Sequence, residues 1–349
     1  MKYKQLGRTG LFVSEFCLGT MTLGGNADAG IWKAIGGLGQ PEADDLIRHA
    51  VQAGINFIDT ADVYSFGQSE RLVGQALRNL DIKRSDVVLS TKTSAPVGTR
   101  PNDQGASRGH IMDSVQCSLE RLQTDHIDLY HIHADDPVTP IEETLRAIDD
   151  LIRQGLVRYA GVSNWRAGKI GKALGLSASG NTARLETAQV YYSIAGRDIE
   201  RELVPLAVDE KLSLLVWSPL AGGLLSGKFG PGTPENQNSR RATFDFPPID
   251  KDRAWACVAQ MRAIGETRGA TVAQVALAWL LAQPHVTSVI VGAKRVEQLD
   301  ENLRASEIEL SSEEITRLNA ISQLPDEYPG WMIEHQTSGR FPKDSSADA

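Results

Sequence analysis

The sequence predicts an α/β fold, a (β/α)8 TIM barrel with an N-terminal β-hairpin and long loops at its C-terminal face. Three observations carry this. Eight short apolar runs recur from end to end of the chain, amphipathic stretches separate them, and strands alternating with helices must lie parallel, because parallel neighbours need a helical crossover. The chain of 349 residues accommodates one such barrel, typically about 250 residues, with insertions. A doubly wound open sheet is the rival arrangement for the same alternation.

The apolar runs lie at 14–20 (SEFCLGT), 56–62 (NFIDTAD), 87–92 (VVLSTK) and 128–133 (DLYHIH). They continue at 158–164 (RYAGVSN), 186–192 (ETAQVYY), 212–220 (LSLLVWSPL) and 287–293 (TSVIVGA). In the helical stretch 41–54, Leu46, Ile47, Ala50, Val51 and Gly54 share one face, while Asp44, Asp45 and Arg48 fall outside it. The stretches 107–123 and 139–155 behave likewise and begin with Ser107 and Thr139 as expected N-caps. Ahead of the first unit, two short runs flank GRTG, which predicts a hairpin over the bottom of the barrel. No repeat or linker divides the chain. The expectation is one domain over 1–335 and a polar, disordered tail over 336–349.

Composition narrows the function. A net charge of −8 argues against nucleic acid or an anionic membrane as the main partner. Cys17, Cys117 and Cys257 have no zinc-type spacing, and so sparse a set fits a reducing compartment. The N-terminus lacks a signal-peptide core, and no run approaches the ~18 apolar residues of a membrane span. The expected location is the cytoplasm.

Barrel chemistry gathers at the C-terminal ends of the strands. The second run ends in Asp59, with Tyr64 in the loop beyond; the third ends in Lys92 and the fourth in His133. A tyrosine of ordinary pKa, near 10, is a poor acid at neutral pH, and a neighbouring ammonium favours its phenolate. A carboxylate keeps that ammonium charged and placed, and an imidazole can hold a substrate oxygen in line. Together they suit protonation of an oxygen gaining negative charge, as when a carbonyl receives hydride. Each residue also has an ordinary reading as a turn, surface or packing residue. His131 and His133 share one face of their strand and could be half a metal site, with Asp135 and Asp136 as the nearest further ligands, but the remaining strand ends supply none.

Hydride chemistry needs a donor. No G-x-G-x-x-G follows any strand. GGLLSGKF at 222–229 only approaches a phosphate-loop pattern, with Phe229 where a magnesium-binding hydroxyl belongs. Its glycines fit a loop that comes close to a ligand. Trp217 offers a flat face for a planar ring, and Ser163, Asn164 and Gln189 offer hydrogen bonds. Lys294 and Arg295 precede a helix, a natural site for phosphate.

Seven stretches, LGRTGLFVSEFCLGTM, GINFIDTADVY, STK, DLYHIH, GVSN, VWSPLAGGLLSGK and GAKRVEQLDEN, together resemble the aldo-keto reductases, from about residue 3 to about residue 322. The resemblance implies a metal-free barrel that binds NADPH, less often NADH, and reduces aldehydes or ketones. It implies Tyr64 as general acid, Lys92 as its partner, Asp59 as the lysine's partner, and His133 as the residue orienting the carbonyl. It further implies that Ser163, Asn164 and Gln189 hold the nicotinamide carboxamide and that Trp217 stacks on the ring, with Gly19, Thr20, Met21 and Asp59 also at the cofactor. Ser218, Pro219, Leu220, Gly222, Leu224 and Lys228 would line the pyrophosphate. Gly292, Lys294, Gln298, Glu301 and Asn302 would surround the adenosine end.

Three departures bear on this. The chain reads HADDP where relatives often have tryptophan or proline after the histidine. It has Gly292-Ala293 where many have Lys-Ser, which moves recognition of a 2′-phosphate to Lys294, Arg295 or a neighbour. Its long first loop, 24–40, carries Trp32, expected to line or cover the substrate pocket. Some relatives, the potassium-channel β-subunits, act mainly as binding partners. Tyr328, Trp331 and Met332 within 324–336 could form a docking strip or a loop folded over the mouth.

Overall fold

In a computed structural model, eight parallel strands close into a barrel, and closure excludes the open-sheet alternative. The structure describes residues 1–25, 31–180, 182–230, 241 and 244–340. The predicted first loop is therefore described except at 26–30, and the predicted tail lies outside the described residues from 341 onward. A hairpin of β1 (Tyr3–Gln5) and β2 (Phe12–Ser14) precedes the barrel. The barrel strands are β3 (Phe16–Gly19), β4 (Phe57–Asp59), β5 (Val88–Thr93), β6 (Ile127–Ile132), β7 (Val157–Ser163), β8 (Leu185–Tyr191), β9 (Ser213–Trp217) and β10 (Val286–Val291). Each overlaps a predicted run, and β10 closes the ring between β9 and β3.

The hairpin plugs the bottom. Leu6 and Val13 are fully buried in one cluster with Cys17, Phe57, Val88, Leu129, Leu215 and Ile290, contributed by six different barrel strands. Polar ties fix it there: Lys4 Nζ donates to the Val286 carbonyl at 2.7 Å, and the Gly7 amide to Ser213 Oγ at 2.7 Å. A much larger apolar core fills the layer between the strands and the outer helices.

The helix Gln40–Gln52 buries Ala43, Leu46, Ile47 and Ala50, close to the predicted face; Gly54 lies past its end at φ +91°. Ser107 caps Arg108–Leu122 by accepting from the His110 amide. Thr139 does not cap the next helix. Ile141–Arg153 starts after Pro140, and the Thr139 hydroxyl instead donates to Asp136 Oδ2 at 2.7 Å, because that carboxylate already organises the turn. Among the described residues no helix is long and apolar enough to cross a membrane.

Above the apolar plug the interior turns polar. Both ring nitrogens of buried His131 are engaged, Nδ1 with Ser90 Oγ at 3.2 Å and Nε2 with Thr187 Oγ1 at 2.9 Å. Gly161 makes room for this layer: a methyl group there would lie 2.0 Å from Thr187 Oγ1 and 2.6 Å from His131. Gly161→Ala should therefore lower stability by about 1–3 kcal/mol, although alanine is the better residue in most settings. A urea midpoint equal to or above wild type would contradict this packing.

Candidate active site

Because all eight strands run parallel, their C-terminal ends meet at one rim. That rim surrounds a cavity of about 1090 Å³. Just beneath its floor, Lys92 is fully buried and its Nζ donates to Asp59 Oδ2 at 2.6 Å and to the Thr60 carbonyl at 2.7 Å. The other carboxylate oxygen of Asp59 accepts from Ser90 Oγ and Gln189 Nε2, both at 3.0 Å. Both charges are thus paired and hydrogen-bonded, which buried charges require. Burial alone would lower the lysine's pKa, but the Asp59 carboxylate, followed by Tyr64, outweighs it and raises it. Lys92 is an ammonium at any physiological pH.

The Tyr64 hydroxyl lies 3.4 Å from Lys92 Nζ, which also sits 5.0 Å from the centre of the Tyr64 ring. The backbone that presents Tyr64 is unusual: Ser65, Phe66 and Gly67 are all left-handed, at φ 49°, 55° and 79°. His133 meets Tyr64 edge-on with ring centroids 5.8 Å apart, and Trp32 lies 5.7 Å away on the tyrosine. Burial, and then the Lys92 charge, push the His133 imidazole down to about 3, so the ring is neutral. Its Nδ1 is buried without a hydrogen-bond partner among the described residues.

A polar relay links this corner to the other side of the mouth. Asn164 donates from Nδ2 to the His133 carbonyl at 3.2 Å and to Ser163 Oγ at 3.0 Å, and its Oδ1 accepts from Trp217 Nε1 at 3.0 Å. Ser163 Oγ in turn donates to the Gln189 carbonyl at 2.9 Å. Trp217 packs against Tyr191 at 5.2 Å and stacks on Phe246 at 5.8 Å with an interplanar angle of 6°.

The residues named from the sequence for cofactor and substrate line this cavity, with two exceptions. Leu224 turns into the apolar core, as its chemistry favours, and is 5% exposed. Glu301 sits outside the cavity, on a helix turn whose carbonyl accepts from Gln274. Lys92 lies beneath the floor rather than on it. The metal-ligand alternative loses its parts: Asp135 pairs with Lys169, and Asp136 accepts from the Ala106 amide at 2.7 Å and the Val138 amide at 2.8 Å. Among the described residues no group of three or more His, Cys, Asp or Glu side chains could hold a metal ion.

Sequence reasoning missed Arg241, Phe244 and Phe246, which also line the cavity. Arg241 donates to the Ala221 carbonyl at 2.7 Å and pairs with Asp245. FDFPP carries no periodicity; its only sequence signal is two aromatics flanking an aspartate in a loop. The segment 324–336 contributes nothing to the cavity wall. Trp331 and Glu334 instead border a separate groove with Arg197, Arg201, Asn319 and Gln323.

The cavity has room and charge for an anionic ligand of dinucleotide size. Lys228, Lys294 and Arg295 bring positive charge to its wall, with Arg241 beside them paired to Asp245. Gly223, at φ +95°, has open space where a side chain would stand, so a ligand can approach the backbone closely there.

Comparison with known proteins agrees with this geometry. The family model described as "Aldo/keto reductase family" matches residues 15–323. A protein of Arabidopsis thaliana named "Probable voltage-gated potassium channel subunit beta" is 36% identical, over 88% of this chain and 92% of its own length. An aldo-keto reductase of Bacillus subtilis is 34% identical, over 92% of this chain and 93% of its own. A versiconal hemiacetal acetate reductase of Aspergillus parasiticus is 33% identical, over 91% and 96%. The chain belongs to the aldo/keto reductase family, oxidoreductases that act on carbonyl compounds.

Proposed function

We propose that the protein is an NADPH-dependent carbonyl reductase that converts an aldehyde or ketone to the alcohol. The observation that carries this reading is the Tyr64 hydroxyl standing 3.4 Å from a lysine that is buried, charged and held by Asp59. NADPH, when bound, supplies the hydride. Tyr64 donates its proton to the carbonyl oxygen as that atom gains negative charge, and the Lys92 ammonium stabilises the phenolate that remains. Solvent then returns a proton to Tyr64. A neutral His133 can donate one ring N–H to the same oxygen and fix its direction without repelling Lys92. Ser163, Asn164 and Gln189, already ordered by hydrogen bonds, are assigned to the nicotinamide carboxamide, and Trp217 to its ring. Lys228, Lys294 and Arg295 on the cavity wall favour an anionic cofactor, with Lys294 and Arg295 taking the 2′-phosphate and so preferring NADPH to NADH.

A second reading rests on the plant relatives named as probable potassium-channel β-subunits. In it, the same cofactor site serves a regulatory binding protein. The helix Gly330–Thr337 carries exposed Trp331 and Ile333, with Tyr328 just before it, as the surface for contact.

Turnover separates the two. Oxidation of NADPH should be measured with 4-nitrobenzaldehyde, with NADH as control. Tyr64→Phe is expected to lower kcat by about 10²–10⁴-fold while NADPH still binds. Undiminished turnover in this variant would remove Tyr64 from the chemistry, and wild-type protein that binds NADPH but reduces no carbonyl would favour the regulatory reading. The imidazole gives a pH test as well. With His133 titrating at about 3, kcat/KM should show no break between pH 5 and 7. A break there that disappears in His133→Gln would contradict a neutral ring.

A further inference from the structure

β5 serves the site with both of its faces. Lys92 points into the barrel, so its neighbours Thr91 and Thr93 point outward, toward the helix Gln68–Asn79. Thr91 Oγ1 donates to Glu70 Oε1 at 2.6 Å. Glu70 is fully buried, and its other oxygen accepts from Arg121 Nε at 2.6 Å. Beside this pair lies a second polar group that nothing in the proposed reaction uses. Asp62 is 2% exposed, and among the described residues neither carboxyl oxygen has a well-formed hydrogen bond. Beside it the Thr93 and Tyr130 hydroxyls are likewise buried, and among the described residues neither has a well-formed hydrogen bond.

Buried polar atoms left without partners are rare, and four in one place need a reason. The reason lies in protonation. Burial, and then the Glu70 carboxylate, push the Asp62 carboxyl up to about 8, against the opposing pull of the Thr93 hydroxyl and the Arg121 guanidinium. The Tyr130 phenol is pushed up by burial and then by Asp62. At neutral pH all three groups are therefore uncharged, and each can both donate and accept. Small hydroxyl and carboxyl rotations then satisfy them mutually.

Asp62 and Glu70 bracket Tyr64 in the chain. Between them lies the left-handed run Ser65–Phe66–Gly67, a conformation that side-chain-bearing residues avoid and that persists only when its surroundings hold it. The near end is pinned to β5 at Lys92 itself, where the Asp62 amide donates to the Lys92 carbonyl at 3.1 Å. The Lys92–Tyr64 separation of 3.4 Å leaves no slack.

We propose that Asp62 and Glu70, seated on Thr93 and Thr91 of the outer face of β5, are positioning residues that hold the Tyr64 hydroxyl against Lys92. The inference rests on the reading of Tyr64 as the general acid.

The test compares wild type, Asp62→Val, Asp62→Asn, Tyr64→Phe and the Asp62→Val/Tyr64→Phe double variant. Each is assayed for kcat with 4-nitrobenzaldehyde, for NADPH affinity by fluorescence, and for melting temperature from pH 5 to 8. Asp62→Val should lower kcat by about 10–100-fold with NADPH affinity unchanged, since a small displacement of a reacting group has that effect. Asp62→Asn, a neutral group of the same shape, should restore most of the rate. Adding Asp62→Val to Tyr64→Phe should remove no further activity.

The melting temperature supplies a readout independent of turnover. A carboxyl titrating at about 8 when folded and near 3.9 when unfolded stabilises the fold at low pH, and that stability is lost as pH rises through 8. Wild type should therefore lose thermal stability between pH 5 and 8, and Asp62→Asn should lose less. Where Asp62→Val fails to fold, Thr93→Val serves instead, with the same loss of kcat expected.

Wild-type kcat in a folded Asp62→Val or Thr93→Val protein overturns the proposal. So does an Asp62→Asn protein as impaired as Asp62→Val, or an equal further loss on the Tyr64→Phe background. If Tyr64→Phe itself is fully active, the general-acid reading falls and takes this inference with it. If Tyr64→Phe is inactive while Asp62→Val is not, only the positioning role falls.

Discussion

The ion pair between Lys92 and Asp59, sealed at the floor of the barrel mouth, is the constraint on which the rest of the site depends. A buried pair of charges is a poor investment in stability, because desolvation offsets most of the attraction. This one persists because each remaining polar position is filled: Thr60 supplies a carbonyl to the lysine, and Ser90 and Gln189 supply donors to the carboxylate. The charge it maintains reaches outward in two ways. It stands beside the Tyr64 phenol, and it helps burial keep the imidazoles of His131 and His133 neutral. Burial and this one ammonium together hold both imidazoles neutral.

The surroundings are graded to suit. Apolar side chains from six strands and the hairpin close the bottom, the hydroxyl–imidazole layer of Ser90, His131 and Thr187 follows, and the ion pair sits where that layer meets the cavity. Gly161 shows how closely these tiers pack, since the absence of a side chain there is what admits His131 and Thr187 together. Outside the strands, the Thr91–Glu70–Arg121 contacts fasten the helix that follows Tyr64. Placement of the tyrosine and charge on the lysine are therefore controlled from opposite faces of one strand.

Much of this was legible in the sequence, and the limits have physical causes. The strands read clearly because barrel strands are buried on both sides and appear as continuous apolar runs. Asp59, Lys92 and His133 stood out because polar residues interrupted such runs at their ends. Local rules failed where a tertiary contact outweighed them. Thr139 looks like a cap, but the Asp136 carboxylate claims its hydroxyl. Leu224 belongs to a glycine-rich loop at the mouth, yet its own side chain packs inward. Arg241 and Phe246 sit in a loop with no periodicity, and only the fold brings them to Trp217 and Ala221. Asp62 is the instructive case: within FIDTADVY it looks like a second turn aspartate, and what separates it from Asp59 is burial with no ion pair among the described residues.

The most direct measurement replaces the ion pair with neutral residues of similar size. Asp59→Asn combined with Lys92→Met leaves no uncompensated charge, so the fold should survive with a urea midpoint near or above that of wild type. Its kcat with NADPH and 4-nitrobenzaldehyde should nonetheless fall by about 100-fold or more, because the proposed general acid, Tyr64, then lacks its neighbouring charge. A folded double variant that binds NADPH and turns over at the wild-type rate would contradict the account at its centre.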